Sequence, residues 1–375
     1  LECCVNKIID IQFLNLPKLI SLDCAGNQII NIQSLNLSNL QTLDCSDNQI
    51  VHIQKLNCNT LTDLNCSANC IDQIEGLTLL NLLKLECSCN PFEQIELLNL
   101  PLLEVLCCAE NGITNIQTLI LPNLKILDCS FNQIINIQSI ILPNLKTLDC
   151  SHNLIEEIEK IKCYLLINLN CSNNQIDEIE LLNLPNLQTL NCSKNQIECI
   201  QKLSCHMLKT LNCSHNYIKQ IIAFNSPNLQ ILQCSSNQIE QIQSFNPLLE
   251  ELYCSNNKIK QIAALIQPNL KILYCSNNQI EQIQRLNAPS IQTLNCSNNQ
   301  IKQIQNLNAP KLEFLNCDNN FIKQIQNLNL SKLERLDCTD NQISIMSLTS
   351  TQSITCIRCS NNPLKHVSEN IRSIV

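Results

Sequence analysis

Glycine is nearly absent from this chain, with 3 in 375 residues. Loops that cradle phosphate through backbone N–H groups need glycines at fixed offsets. No G-x-x-x-x-G-K-[ST], G-x-G-x-x-G or H-E-x-x-H motif occurs. Lys and Arg are not clustered and the net charge is −8, which argues against a nucleic-acid partner. No uninterrupted apolar run reaches the roughly 18 residues of a membrane-spanning helix. The five histidines, His52, His152, His206, His215 and His366, are scattered and converge on no catalytic set. Tryptophan is missing and aromatic residues make up only 3%. No linker or low-complexity stretch interrupts the chain, so a multidomain enzyme is not indicated. What is abundant is cysteine, 27 residues, within an apolar content of 45% that supplies a sizeable core and excludes general disorder.

One unit recurs along the whole chain. Anchored on the Asn of Cys-Ser-x-Asn-Gln-Ile, it returns 18 times from Asn6 to Asn362, at intervals of 21 residues, except for one interval of 20 between Asn237 and Asn257. The unit reads L-x-x-L-x-C-S-x-N-Q-I-x-x-I-x-x-L-x-L-P-x, as in Leu187-Gln188-Thr189-Leu190-Asn191-Cys192-Ser193-Lys194-Asn195-Gln196-Ile197. Alternation through x-L-x-C-x predicts a short parallel strand with Leu and Cys inward. The anchor Asn falls where the chain leaves the strand. Its amide is expected to pair with backbone groups of the turn and of a neighbouring repeat, forming a ladder, and to take left-handed backbone angles that replace the missing glycines. The return half, I-x-x-L-x-L, is followed by Pro at Pro101, Pro122, Pro143, Pro185, Pro268, Pro289 and Pro310. That pattern favours extended or irregular backbone over helix.

On these residues the chain resembles the leucine-rich-repeat superfamily. The nested L-x-x-L-x-C / I-x-x-L-x-L pattern is similar to its short-period IRREKO class. The N-x-I-x-x-I-x-x-L stretch is similar to repeats of the protein phosphatase 1 regulatory subunit and of bacterial internalins. The resemblance implies a β-solenoid, a rod or shallow horseshoe. Its concave face would carry a parallel β-sheet and its convex face mostly extended or irregular backbone. It also implies a non-catalytic scaffold or adaptor that binds a protein partner through the concave strand face. Residues 1–375 are expected to form a single solenoid of 17–18 repeats with truncated or uncapped ends, since Leu1-Glu2-Cys3-Cys4-Val5-Asn6 already fits the latter half of a strand. The alternative function is the substrate-targeting or regulatory arm of a larger enzyme or secreted effector. The fold fixes no ligand.

Eighteen cysteines fill the slot three residues before each anchor, from Cys3 and Cys24 to Cys338 and Cys359. They read as a column of small buried thiols and not as a metal or redox array; Cys58, Cys163 and Cys205 replace a return-half Leu in the same spirit. Side chains pointing the same way make poor disulfides, so a reducing, cytoplasmic setting is expected, with a secreted effector as the alternative. Cys356-Ile357-Arg358-Cys359 is at best half a zinc site. No cofactor, metal or catalytic residue is expected, and no membrane or nucleic-acid contact; the solenoid reads as a monomer.

The outward strand positions carry the variable surface. Four residues before each anchor, Asp23, Asp44, Glu86, Asp128 and Asp149 form an acidic stretch suited to a basic partner face. Further along, the same row carries Tyr253, Tyr274 and Arg358, and the row two residues earlier carries Ile272, Phe314 and Arg335. Tyr253 and Tyr274 are expected to stack on adjacent strands. Together with Ile272 and Phe314 they would make an apolar and aromatic spot, with arginines beside it, of the composition found in binding hot spots.

Overall fold

The computed structural model describes residues 1–372 apart from 34, 36, 55, 57, 139, 201, 202, 204, 222–225, 243–245, 263–266, 284, 285, 287, 305, 306, 308, 327, 329 and 349–351. These residues fall into two compact units, Leu1–Glu178 with Leu182–Asn191, and Ile179–Leu181 with Cys192–Val375. Each unit is a β-solenoid of stacked coils.

Among the described residues the first unit contains nine strands of three residues each: Ser21–Asp23, Thr42–Asp44, Asp63–Asn65, Lys84–Glu86, Val105–Cys107, Ile126–Asp128, Thr147–Asp149, Asn168–Asn170 and Thr189–Asn191. They pair in parallel, each with the next, so that Leu43 meets Leu64 and Asp128 meets Asp149. The second unit repeats the arrangement with Thr210–Asn212, Ile231–Gln233, Glu251–Tyr253, Ile272–Tyr274, Thr293–Asn295, Phe314–Asn316, Arg335–Asp337 and Cys356–Arg358. The 20-residue interval leaves this register intact, with Leu232 opposite Leu252. The shortfall lies in the return half, where Ile242 and Leu249 are one residue closer in sequence than Ile221 and Leu229 in the preceding repeat.

Among the described residues the return side holds no α-helix. It has the short parallel strands Gln220–Ile221, Gln241–Ile242, Gln324–Ile325, Ile345–Met346 and His366–Val367, and one 3-10 turn at Glu369–Ile371. A second amide column, unforeseen in the sequence, ties these returns together. Asn39, Asn123, Asn144 and Asn269 donate to the carbonyls of Pro17, Pro101, Pro122 and Pro247 one coil earlier, at 2.7–2.8 Å.

The core follows the repeat. In the coil after Asn48, the side chains of Ile50, Ile53, Leu56, Cys58, Leu61, Leu64 and Cys66 are all buried. Each fully buried Leu or Ile contributes roughly 1.5–3 kcal/mol of transfer free energy. Sixteen of the eighteen column cysteines are buried; Cys3 and Cys359, stacked on one side only, are half-buried. The thiols do not point at one another. Cys45 Sγ–H donates to the Asn65 carbonyl of the next coil at 3.3 Å, and Cys87, Cys108 and Cys338 repeat the contact.

From Asn27 onward the anchor Asn side chains join two coils. Asn153 Nδ2 donates to the carbonyls of Cys150 and Ser151 in its own turn and of Cys129 in the preceding coil, at 3.0–3.1 Å, while its Oδ1 accepts the N–H of Ile134 at 2.9 Å. The left-handed angles are another matter. Expected at the anchor, they fall on the residue before it, at every repeat: Asp47, Phe131, His152, Lys194 and Asn278's neighbour Asn277 have φ between 52° and 54°. Only Gly26 offers a glycine there. The anchor stays in ordinary backbone because its side chain must turn inward to reach three carbonyls, and the reversal is displaced one position upstream. Non-glycine residues accept that conformation at a cost of about 1–2 kcal/mol, offset by their N–H groups pairing with the next coil, as in His152 N–H to Ser172 O at 2.9 Å.

Candidate functional site

The outward side chains of the three-residue strands are the surface least bound by the repeat. In the first unit most of the acidic row is engaged in local turns. Oδ1 of Asp23, Asp44, Asp128 and Asp149 accepts the N–H of the residue two positions on, Ala25, Ser46, Ser130 or Ser151, at 2.9–3.1 Å. The three serines add their hydroxyls at 2.6–2.7 Å. Oδ2 of Asp44 and Asp149 accepts the amides of Asn65 and Asn170 on the adjacent strand. Glu86 forms an ion pair with Lys84 at 2.8 Å. The four aspartates therefore fasten the strand ends, and the charge of all five carboxylates is partly spent on neighbouring donors. Asp23, Asp44 and Glu86 line a shallow depression of about 220 Å³ with Ser21, Thr42 and Asp63.

In the second unit Asn212, Asn295, Asn316 and Asp337 make the same turn contact. Tyr253 and Tyr274 stand at that position without the carbonyl or carboxylate oxygen that makes it. Their rings stack across adjacent strands, centroids 5.3 Å apart and 8° from parallel. Tyr253 Oη donates to Glu251 Oε2 at 2.8 Å. Burial, then the Glu251 carboxylate beside it, pushes the Tyr253 phenol up to about 12.

The remaining sequence candidates divide between two clusters. Ile272 pairs with Glu251 on one side and Thr293 on the other, next to the tyrosines. Phe314 lies one strand further, beyond Thr293, so the single apolar spot expected from the sequence is interrupted by the Thr293–Asn295 strand. Phe314 instead faces Arg335, which faces Cys356, while Asn316, Asp337 and Arg358 line up in the companion row. These residues, with Leu336 and Thr355, surround a depression of about 440 Å³. The Arg358 guanidinium is 3.7 Å from Asp337 and 73% exposed. Arg335 is exposed and makes no ion pair among the described residues. A further ring pair escaped the sequence reading. Phe131 and His152 stack at 3.9 Å on the left-handed row of the first unit; they are adjacent there because both precede anchors 21 residues apart.

With this geometry in view, the family match is direct. The family model for leucine-rich repeats in two copies matches residues 122–163, 165–205, 206–247, 247–288 and 289–330, more than half of the chain. The chain belongs to the leucine-rich-repeat family. No curated protein matches this leucine-rich-repeat chain. Among solved structures it is similar to the functional domain of InlJ from Listeria monocytogenes, described as including a cysteine ladder, at 24% identity and a TM-score of 0.66, over 90% of this chain and 71% of that one. YopM from Yersinia enterocolitica gives 24% identity and 0.67, over 94% and 77%. A leucine-rich-repeat protein of Leptospira interrogans gives 22% and 0.67, over 90% and 89%. These likenesses establish the fold.

Proposed function

We propose that this leucine-rich-repeat chain is a non-catalytic scaffold or adaptor that binds a protein partner through the sheet face of its second unit. One observation carries the reading. Tyr253 and Tyr274 occupy the position where Asp or Asn caps the strand end in most other coils. Giving up such a hydrogen bond costs about 0.5–1.5 kcal/mol at each site. Two large, half-buried rings in a chain otherwise poor in aromatics are what binding hot spots use, and stability given up at a surface position accords with selection for contact. The chain acts as a monomer in a reducing compartment, where 27 thiols, most of them in the core column, stay reduced.

Affinity capture from source cells tests the reading. Wild type is compared with Tyr253→Asn/Tyr274→Asn, which restores the caps, and with Asp128→Asn/Asp149→Asn as a control on the first unit. The expected result is loss of a partner with the tyrosine variant alone. Retention of every partner by that variant would remove the second sheet face from the function.

A further inference from the structure

The depression around Arg335 and Arg358 has a chemistry of its own. Its floor includes Leu336, 1% exposed, one wall is Phe314, and its rim carries two guanidinium groups against one carboxylate, Asp337. Asp337 is itself shared: its Oδ1 accepts the N–H of Thr339 at 3.2 Å while its Oδ2 lies 3.7 Å from Arg358. On a chain of net charge −8, this is a locally cationic pocket with an apolar wall. A guanidinium presents a planar fork of donors that fits a carboxylate with two parallel bonds.

We propose that this depression receives an acidic side chain from an extended segment of the partner protein, and that an aromatic or large aliphatic side chain of the same segment packs on Tyr253 and Tyr274. The inference rests on the protein-binding reading above and specifies the chemistry of what binds. The spacing follows from the sheet. Tyr274 and Arg335 are separated by three strand steps, through Thr293–Asn295 and Phe314–Asn316. At about 4.8 Å per step the separation is about 14 Å, which an extended chain rising about 3.3 Å per residue covers in roughly four residues. The recognised segment therefore has its acid about four positions from its aromatic residue. Thr293 and Asn295, between the two clusters, offer neutral hydrogen-bonding groups to the intervening backbone. A polyanion such as RNA fits this surface poorly: the depression has only two arginines with Asp337 between them, and Glu251 stands beside the tyrosines.

Phage display of random peptides on the full chain, followed by fluorescence anisotropy with synthetic copies of the enriched peptides, tests the proposal. Enriched sequences should carry Asp or Glu about four residues from Phe, Tyr, Trp or Leu. They should bind Arg335→Glu/Arg358→Glu about tenfold more weakly or worse, and acid-to-Lys versions should bind that variant better than wild type. Both arginines are exposed, so the variant keeps the fold, checked by its thermal melt; Arg335→Gln/Arg358→Gln serves as the milder replacement. Enrichment of acid-free sequences, no enrichment at all, or a single-stranded oligonucleotide bound as tightly as the peptides would overturn the proposal. Peptides indifferent to the arginine changes but lost with Tyr253→Asn/Tyr274→Asn would leave the protein-binding face standing and sink only the acid site. Peptides indifferent to both variants would sink both readings. Loss with the arginine variant alone would overturn the tyrosine contact and the spacing derived from it.

Discussion

The first and second units share a backbone but differ in what their outward rows do. In the first, Asp23, Asp44, Asp128 and Asp149 turn their carboxylates onto the chain itself, closing strand ends and bridging neighbours. In the second, the same row admits Gln233, Tyr253, Tyr274 and Arg358, none of which has a hydrogen-bonding group placed to make that contact. The difference teaches that a residue on the outer face of a repeat is not automatically a binding residue. An acid that looks available in sequence can be a structural cap, and a position where the cap has been given up is the better guide to a contact surface.

That comparison can be broken or sharpened by experiment. The largest effect is expected where the units should not differ. Burial pushes the column thiols of both units above their ordinary value of 9.0, those of Cys66, Cys213, Cys254 and Cys296 to about 12. Below pH 9 these thiols are neutral whether the chain is folded or not, and stability is at its full value. Above pH 9 only the unfolded chain ionises them, so stability falls until the folded values near 12 are passed. Each buried thiol steepens the loss by about 1.4 kcal/mol per pH unit. Circular dichroism against pH, with pulsed hydrogen exchange to follow each unit, should show both collapsing over the same window. A second unit that survives well past the first would break the equivalence of the two columns.

Next, Asn153→Ala in the first unit and Asn278→Ala in the second should each cost about 1–3 kcal/mol in urea denaturation, because each leaves buried backbone groups of two coils without a partner. Unequal costs would mean that the shared hydrogen bonds seen at both sites are not equally strong. An opposite sign is expected at Gln267, confined to the second unit. Its side chain is fully buried, and neither Oε1 nor Nε2 has a partner among the described residues, in the slot that most other repeats fill with Leu, Cys or Ala. Gln267→Leu should raise stability by roughly 1–3 kcal/mol; an unchanged urea midpoint would contradict the unsatisfied amide. The smallest effects concern the caps. Tyr253→Asn and Tyr274→Asn should each gain about 0.5–1.5 kcal/mol, and Asp44→Tyr and Asp149→Tyr should lose about as much. A destabilising Tyr253→Asn would show that ring stacking outweighs the cap, and would remove the main support for the binding face.

The period, the inward Leu and Cys, the extended return and the hydrogen-bonding role of the anchor were all legible from the residues. A 21-residue repeat written 18 times leaves little choice of register. The left-handed position was not, because Val5, Phe131 and Lys194 are residues that local preference would keep out of it; the stacking of whole coils overrides that preference. The second amide column, as at Asn123 and Asn144, is hidden in the sequence because Pro-Asn-Leu reads as an ordinary loop until the coils are stacked. At the candidate site, the pairing of Tyr253 with Tyr274 followed from the period alone. The separation of Phe314 from Ile272, and its union with Arg335 and Arg358, required knowing which strand intervenes. The use of the acids as caps required side-chain rotamers, about which a one-dimensional pattern says nothing.

The one-to-one strand register has a further consequence for how such a surface can change. Since the coils within a unit meet their neighbours through the same columns, a whole coil can be gained or lost inside that unit without disturbing the contacts on either side. Recognition elements on the sheet are then movable only in whole steps of about 4.8 Å. An extra coil inserted between Tyr274 and Arg335 would lengthen the ruler by one notch and retune the chain to a partner whose anchor residues lie one or two positions further apart.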